Sequence, residues 1–152
     1  NKDLNIIIDA GGLYYMREFG CPPNAIITPH PGEAAMLLDC SVEELQKNRL
    51  EAAKELYKRY NCLIILKGYQ TIVFDGEAYQ CTDGGPALST AGTGDVLAGL
   101  IGSFLAQGLS KLDAARFSVA IHGAAGDRFS RNKRIRGLTA TKLIKIINEE
   151  ML

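Results

Sequence analysis

The stretch Thr90-Ala91-Gly92-Thr93-Gly94-Asp95 opens onto the apolar run Val96 to Ala106, so a small-residue turn empties straight into a helix with an acid in its first turn. The first amides of a helix have no intrahelical partners and its dipole adds partial positive charge, which together make an anion site. Gly92 and Gly94 carry no side chain that would hold a phosphate away from the backbone. A carboxylate beside a bound phosphate is repulsive unless it takes a proton from a hydroxyl that attacks phosphorus, and the position of Asp95 suits that role. The same pattern also suits a plain turn, because an acid in the first turn favours any helix start and short glycine patterns recur by chance.

Around that turn the chain alternates strands and helices. Leu4 to Ile8 is a continuous apolar run of the kind found in strands buried on both faces of a parallel sheet. Asp9 follows at the C-terminal end, where open α/β sheets place ligands. Gly12 to Glu18 suits a short helix, and Ala25 to Thr28 a second strand. Thr28-Pro29-His30-Pro31-Gly32-Glu33 is then a rigid loop whose prolines hold His30 extended, either to bond a ligand or to meet solvent. Pro31 to Leu38 reads as a helix and Ser41 to Tyr60 as another, with Ser41 and Glu44 forming a capping box.

Leu63 to Leu66 is a third buried strand, ended by Lys67-Gly68, and Asp75-Gly76 joins Thr71 to Phe74 and Glu77 to Thr82 into a hairpin. Ala87 to Thr90 is expected as one more short strand feeding the glycine turn. Gly94 to Gln107 is apolar nearly all round and is expected to be buried. Ser110 to Arg131 forms a further helix in which Gly123 and Gly126 allow close packing and His122 is a packed, hydrogen-bonded residue. Arg131, Lys133, Arg134 and Arg136 make a basic cluster on a solvated connection, and Thr139 to Leu152 closes the chain as an amphipathic helix.

The bulk properties narrow the function classes. Apolar residues make up 47% of the 152 and charged residues 22%, enough to build a core. Lys plus Arg equals Asp plus Glu at 17 each, so no global charge draws the chain to nucleic acid or an acidic membrane surface. No segment approaches the roughly 18 apolar residues of a membrane span. Cys21, Cys40, Cys62 and Cys81 are widely spaced without a C-x-x-C pair, which fits reduced thiols in a cytoplasmic protein. The first residue, Asn1, runs almost at once into a strand, and few strands lie at the N-terminal side. The expectation is an α/β fold of three layers with an inserted hairpin, in which residues 1–152 are the C-terminal part of a larger domain.

Taken together, Thr28 to Glu33, Lys67-Gly68 with Thr71, Leu88 to Gly99 (LSTAGTGDVLAG), and His122-Gly123 with Ala125-Gly126 resemble the ADP/ATP-dependent NAD(P)H-hydrate dehydratases of the ribokinase-like superfamily. The resemblance implies a ribokinase-like nucleotide-binding domain with a mostly parallel central sheet. It implies a substrate that is the hydrated form of NADH or NADPH, bearing a hydroxyl on the reduced nicotinamide ring. Asp95 matches the superfamily's base, which activates that hydroxyl towards the terminal phosphoryl of ADP or ATP; loss of phosphate then restores NAD(P)H. By the same resemblance His30, Asp9 and Asp95 contact the hydrate. Lys67, Gly68, Tyr69, Gln70 and Thr71, with Gly92, Thr93 and Gly94, contact the adenine nucleotide, and Glu33 organises Mg²⁺ through its waters. A homo-oligomer, often a tetramer, is implied as well. One departure stands out: the family carries a second acid in Asp-Ala-Asp, where this chain has Asp9-Ala10-Gly11.

Two other readings share these residues. A sugar or vitamin-precursor kinase would use Asp95 and the glycine turn but keep its phosphorylated product, and His30 within TPHPGE favours the dehydratase over it. An inert nucleotide-binding module would account for Gly11.

Overall fold

The computed structural model describes residues 4–131 and 136–150, and within the chain two compact units form, residues 1–80 and 81–152. Lys133 and Arg134 of the basic cluster lie outside the described residues.

In the first unit, strands β1 (Ile6–Ile8), β2 (Ala25–Ile27), β3 (Leu63–Leu66), β4 (Ile72–Phe74) and β5 (Ala78–Gln80) form one sheet in that order. β1, β2 and β3 run parallel, with Ile6 opposite Ala25 and Ile26 opposite Leu63. β4 and β5 add antiparallel, with Leu66 opposite Ile72 and Phe74 opposite Ala78. The expected hairpin is therefore present, closed by Asp75, Gly76 at φ 89° and Glu77. Parallel strands need crossovers, and these are helices α1 (Gly11–Phe19) between β1 and β2, then α2 (Pro31–Leu38), α3 (Val42–Lys47) and α4 (Arg49–Tyr60) before β3. Leu13, Met16, Leu37, Ala53 and Leu56 from these helices pack with Ile27, Ile64 and Leu66 in one core. Each fully buried Leu or Ile there contributes about 1.5–3 kcal/mol.

Two expectations change in this unit. β1 is less buried than expected within these residues: Ile6 is exposed and Ile7 and Ile8 are half-buried, with β2 as the strand's neighbour. The helix read from Ser41 to Tyr60 is two helices. The Ser41–Glu44 capping box starts α3 as expected, but Asn48 leaves helical geometry at φ −146°, ψ 70°. Its amide donates to Leu45 O and its Oδ1 accepts from Glu51 N, so one residue ends α3 and caps α4.

The second unit is helical: a 3-10 turn at Pro86–Leu88, then α5 (Thr93–Ala106), α6 (Lys111–Ser130) and α7 (Ala140–Glu150). Ala87, Val96, Ala125, Leu138, Leu143 and Ile147 make its core. The expected strand at Ala87 to Thr90 is this 3-10 turn. Pro86 starts it and Thr90 Oγ1 donates back to Ala87 O, a local bond that replaces ladder pairing. α5 is less buried than its composition suggests: Thr93, Val96, Leu97 and Ile101 are buried, whereas Asp95, Gly99 and Ser103 form an exposed stripe. Its small residues leave little apolar area to hide on that side.

Candidate functional site

The residues singled out from the sequence fall into two sets, one in each unit. In the first unit, Asp9 follows β1 and Lys67 follows β3, and the fold joins them: Lys67 Nζ donates to Asp9 Oδ1 at 2.8 Å, with 19% and 17% of the side chains exposed. Burial alone would raise the Asp9 carboxyl. The bond and charge of Lys67, with bonds from Thr28 and the Ala10 amide, outweigh it and hold the group below its ordinary range. The turn after Asp9 is strained, because Ala10 takes φ 47°, ψ −125°, a region that favours glycine. Gly11 begins α1 with no atom within 4 Å of where its Cβ would stand, so space exists there for the acid that the sequence lacks. Beside Asp9 an open groove of about 360 Å³ runs between β1 and α1, past Ile8, Gly12, Tyr15, Met16 and Phe19. Tyr15 and Phe19 are exposed on it and stacked, with centroids 6.4 Å apart.

The segment Lys67 to Thr71 is a turn in which Thr71 Oγ1 donates to Gly68 O, Gln70 sits at φ 54° and accepts from Gln80 Nε2, and Tyr69 is open to solvent. Its position depends on a cation of the helix that precedes β3. Arg49, in the first turn of α4, donates through Nη2 to both Leu66 O and Lys67 O at 3.1 Å. Gly68, at φ 127°, leaves room for that guanidinium; a Cβ there would stand 3.0 Å from Nη1. Nothing in the spacing separates Arg49 from the other cations of its helix, so no sequence signal could have found it.

His30 is the N-cap of α2. Its Nδ1 accepts from Glu33 N at 3.1 Å and its own amide donates to Glu33 Oε2 at 2.8 Å, a reciprocal capping box. With Nδ1 accepting, the neutral ring carries its proton on Nε2, which stands 3.5 Å from Glu33 Oε1, and 56% of the side chain is exposed. Glu33 is buried and has one oxygen committed to the cap. Among the described residues no three His, Cys, Asp or Glu side chains gather as a direct metal cage. Mg²⁺ takes one or two carboxylates with waters and phosphate oxygens, so a single carboxylate such as Glu33 fits a water-mediated role.

In the second unit the glycine turn is held by the backbone and by one threonine. Gly92 is the N-cap of α5 at φ 84°, where a Cβ would also stand 3.2 Å from Ala140 Cβ. Thr93 is buried, and its Oγ1 lies 2.6 Å from Leu88 O and 2.8 Å from Thr90 O. His122 is packed and hydrogen-bonded as expected, and its partner ties it to the site: Nε2 donates to Thr93 O at 2.9 Å. Gly123 and Gly126 do allow close packing, though against the loop and 3-10 turn. A Cβ on Gly123 would fall 2.8 Å from Asp83 O, and one on Gly126 would fall 2.6 Å from Leu88 Cγ. Asp95 lies in the first turn of α5, exposed, with no ion-pair partner for its carboxylate among the described residues. The Thr93 amide donates to Thr90 O at 3.3 Å; the start of the helix beside an exposed carboxylate can still bind a phosphoryl group and accept a proton.

A family model described as NAD(P)H-hydrate dehydratase matches residues 1–149. The chain belongs to the NAD(P)H-hydrate dehydratase family. It is 41% identical over 143 residues to the bifunctional NAD(P)H-hydrate repair enzyme Nnr of Vibrio cholerae, covering 93% of this chain and 29% of that protein. It is 44% identical over 137 residues to the ADP-dependent (S)-NAD(P)H-hydrate dehydratase of Neisseria meningitidis serogroup B, covering 84% of this chain and 46% of the relative. Among solved structures, the ADP/ATP-dependent NAD(P)H-hydrate dehydratase of Bacillus subtilis, co-crystallised with ATP and Mg²⁺ and soaked with CoA, superposes with a TM-score of 0.88. The identity is 34%, over 96% of this chain and 55% of that one. The chain thus spans less than half the length of these two curated relatives. The fold is mixed α/β and ribokinase-like, and no described helix is long and apolar enough to cross a membrane.

Proposed function

We propose that this chain is the C-terminal part of a ribokinase-like nucleotide-binding domain that dehydrates (6S)-NAD(P)H hydrate to NAD(P)H at the expense of ADP or ATP, as nicotinamide-nucleotide repair in the cytoplasm. The observation that carries the reading is the glycine turn: Gly92 at φ 84°, buried Thr93 and Gly94 open α5, with Asp95 exposed one residue on, inside a family match that spans residues 1–149.

In this reading Asp95 takes the proton of the ring hydroxyl as its oxygen attacks the terminal phosphoryl group. The turn of Gly92, Thr93 and Gly94 meets the charge that builds on the transferring oxygens. His30, whose side chain is more than half exposed, and Asp9 bind the hydrate. Lys67, Gly68, Tyr69, Gln70 and Thr71 hold the adenine nucleotide. Glu33 holds Mg²⁺ by way of water, and the ion supplies neutralisation of phosphate charge. The phosphorylated hydroxyl leaves as phosphate, driven by the ring nitrogen's lone pair, and a ring proton is lost; the products are NAD(P)H, phosphate, and AMP or ADP. The working form is a homo-oligomer, and neither nucleic acid nor membrane is a partner.

The test mixes the complete domain with hydrated NADH, Mg²⁺ and either ADP or ATP, and follows near-ultraviolet absorbance of the reduced nicotinamide together with phosphate. Absorbance rising in step with phosphate supports the reading and identifies the preferred nucleotide. A flat absorbance trace with an alcohol phosphorylated instead would replace it with a kinase.

A further inference from the structure

We propose that Cys21 and Cys62 form a thiol pair that oxidises to an intramolecular disulfide by exchange with a small-molecule disulfide, Cys21 being the sulfur that attacks first. The fold brings them together. Cys62 immediately precedes β3, and because Leu63 pairs with Ile26, it lies beside the start of β2 at Ala25. Cys21 precedes β2 by one short turn through Pro22, Pro23 and the left-handed Asn24 at φ 62°. Both sulfurs enter the same apolar cluster, and the two side chains share a hydrogen bond.

The pair is asymmetric in the way an exchange site requires. Cys62 is buried, 4% exposed, so an external disulfide cannot reach it first. Cys21 is half-buried, and its neighbours Gly20 and Pro22 line the open groove beside α1. The hydrogen bond from Cys62 lowers the Cys21 thiol, outweighing the effect of burial, which favours the attacking thiolate. Cys81 is the contrast: burial raises its thiol and the carboxylates of Asp83 and Asp127 raise it further, which leaves it inert.

The reaction balances without any group from elsewhere in the protein. The Cys21 thiolate attacks one sulfur of R–S–S–R, forming a Cys21 Sγ–SR bond and expelling RS⁻, which takes up a proton. Cys62 then gives up its proton to water, its Sγ attacks Cys21 Sγ, and the second RS⁻ leaves. Two protein thiols lose two electrons in total, and one external disulfide becomes two thiols.

Reduced protein is incubated, folded, with oxidised glutathione and read by thiol titration, intact mass and non-reducing peptide mapping. Cys21 and Cys40 share one tryptic peptide, so mapping is repeated with Cys40→Ser. The expected result is loss of two of the four thiols, a mass lower by two hydrogens and a Cys21–Cys62 linkage. Cys21→Ser should slow thiol loss by about tenfold or more. Cys62→Ser should stop at one glutathione per chain on Cys21; Cys62→Ala serves if a buried hydroxyl prevents folding. Glutathione persisting on Cys21 in the parent while Cys62 remains alkylatable after unfolding would overturn the proposal, and so would a bond from Cys21 to Cys40.

Discussion

The two units hold their charged groups by opposite means. In residues 1–80 the carboxylate of Asp9 is largely withdrawn from water and kept ionised by a lysine, a threonine and a backbone amide. In residues 81–152 Asp95 stands exposed, and the positioning falls to glycine conformation and to backbone carbonyls that hold Thr93. A paired, desolvated carboxylate is a poor proton acceptor because its charge is already satisfied. An exposed one can meet a substrate hydroxyl without first breaking a charge pair. The first arrangement suits binding and orientation, the second proton transfer.

The sharpest way to break this contrast is Asp95→Asn in the complete domain. Turnover should fall by about 10³-fold with nucleotide affinity largely kept, as read by phosphate release and by nucleotide titration; a stable variant that retains turnover would remove Asp95 from the chemistry. Gly123→Ala comes next, because its Cβ would press on Asp83 backbone. A loss of about 2–3 kcal/mol in denaturant unfolding is expected, and an unchanged midpoint would mean the loop at Asp83 yields freely.

Asp9→Asn should cost about 2 kcal/mol at neutral pH by leaving Lys67 half-buried without its charge partner. Its sign with pH follows from the lowered carboxyl. The contribution is complete above the ordinary aspartate value of about 4 and disappears as pH falls through the lower folded value. Parent and variant should therefore converge in acid, which thermal melts across pH will check; a gap constant with pH would assign the loss to packing. The smallest effect is Gly11→Asp. The position is open and begins a helix, so stability should rise by about 0.3–1 kcal/mol through the helix dipole. The informative readout is substrate affinity: tighter binding would make the unit's second acid a binding group, and no change would show that Asp9 suffices.

Much of the fold was legible because it is local. Apolar runs marked β2 and β3, Asp75-Gly76 marked the hairpin, and Ser41 with Glu44 marked the start of α3. The glycine turn was legible for the same reason, since Gly92 to Asp95 are consecutive and their chemistry depends on a single helix start. The misread segments failed where a side chain bonds its own backbone: Asn48 breaks a helical pattern, and Thr90 draws Pro86–Leu88 into a 3-10 turn where apolar content suggested a strand.

The sequence by itself determined most of the order of strands and helices, the glycine turn at the start of α5 and the family, because each rests on contiguous residues or on motif order. Only the tertiary structure decided that Lys67 reaches Asp9, that Arg49 holds the carbonyls of Leu66 and Lys67, and that Cys21 meets Cys62. Those pairings join residues far apart in the chain, through crossover paths and strand register. Desolvation, which gives each its strength, exists only once the core has closed around them.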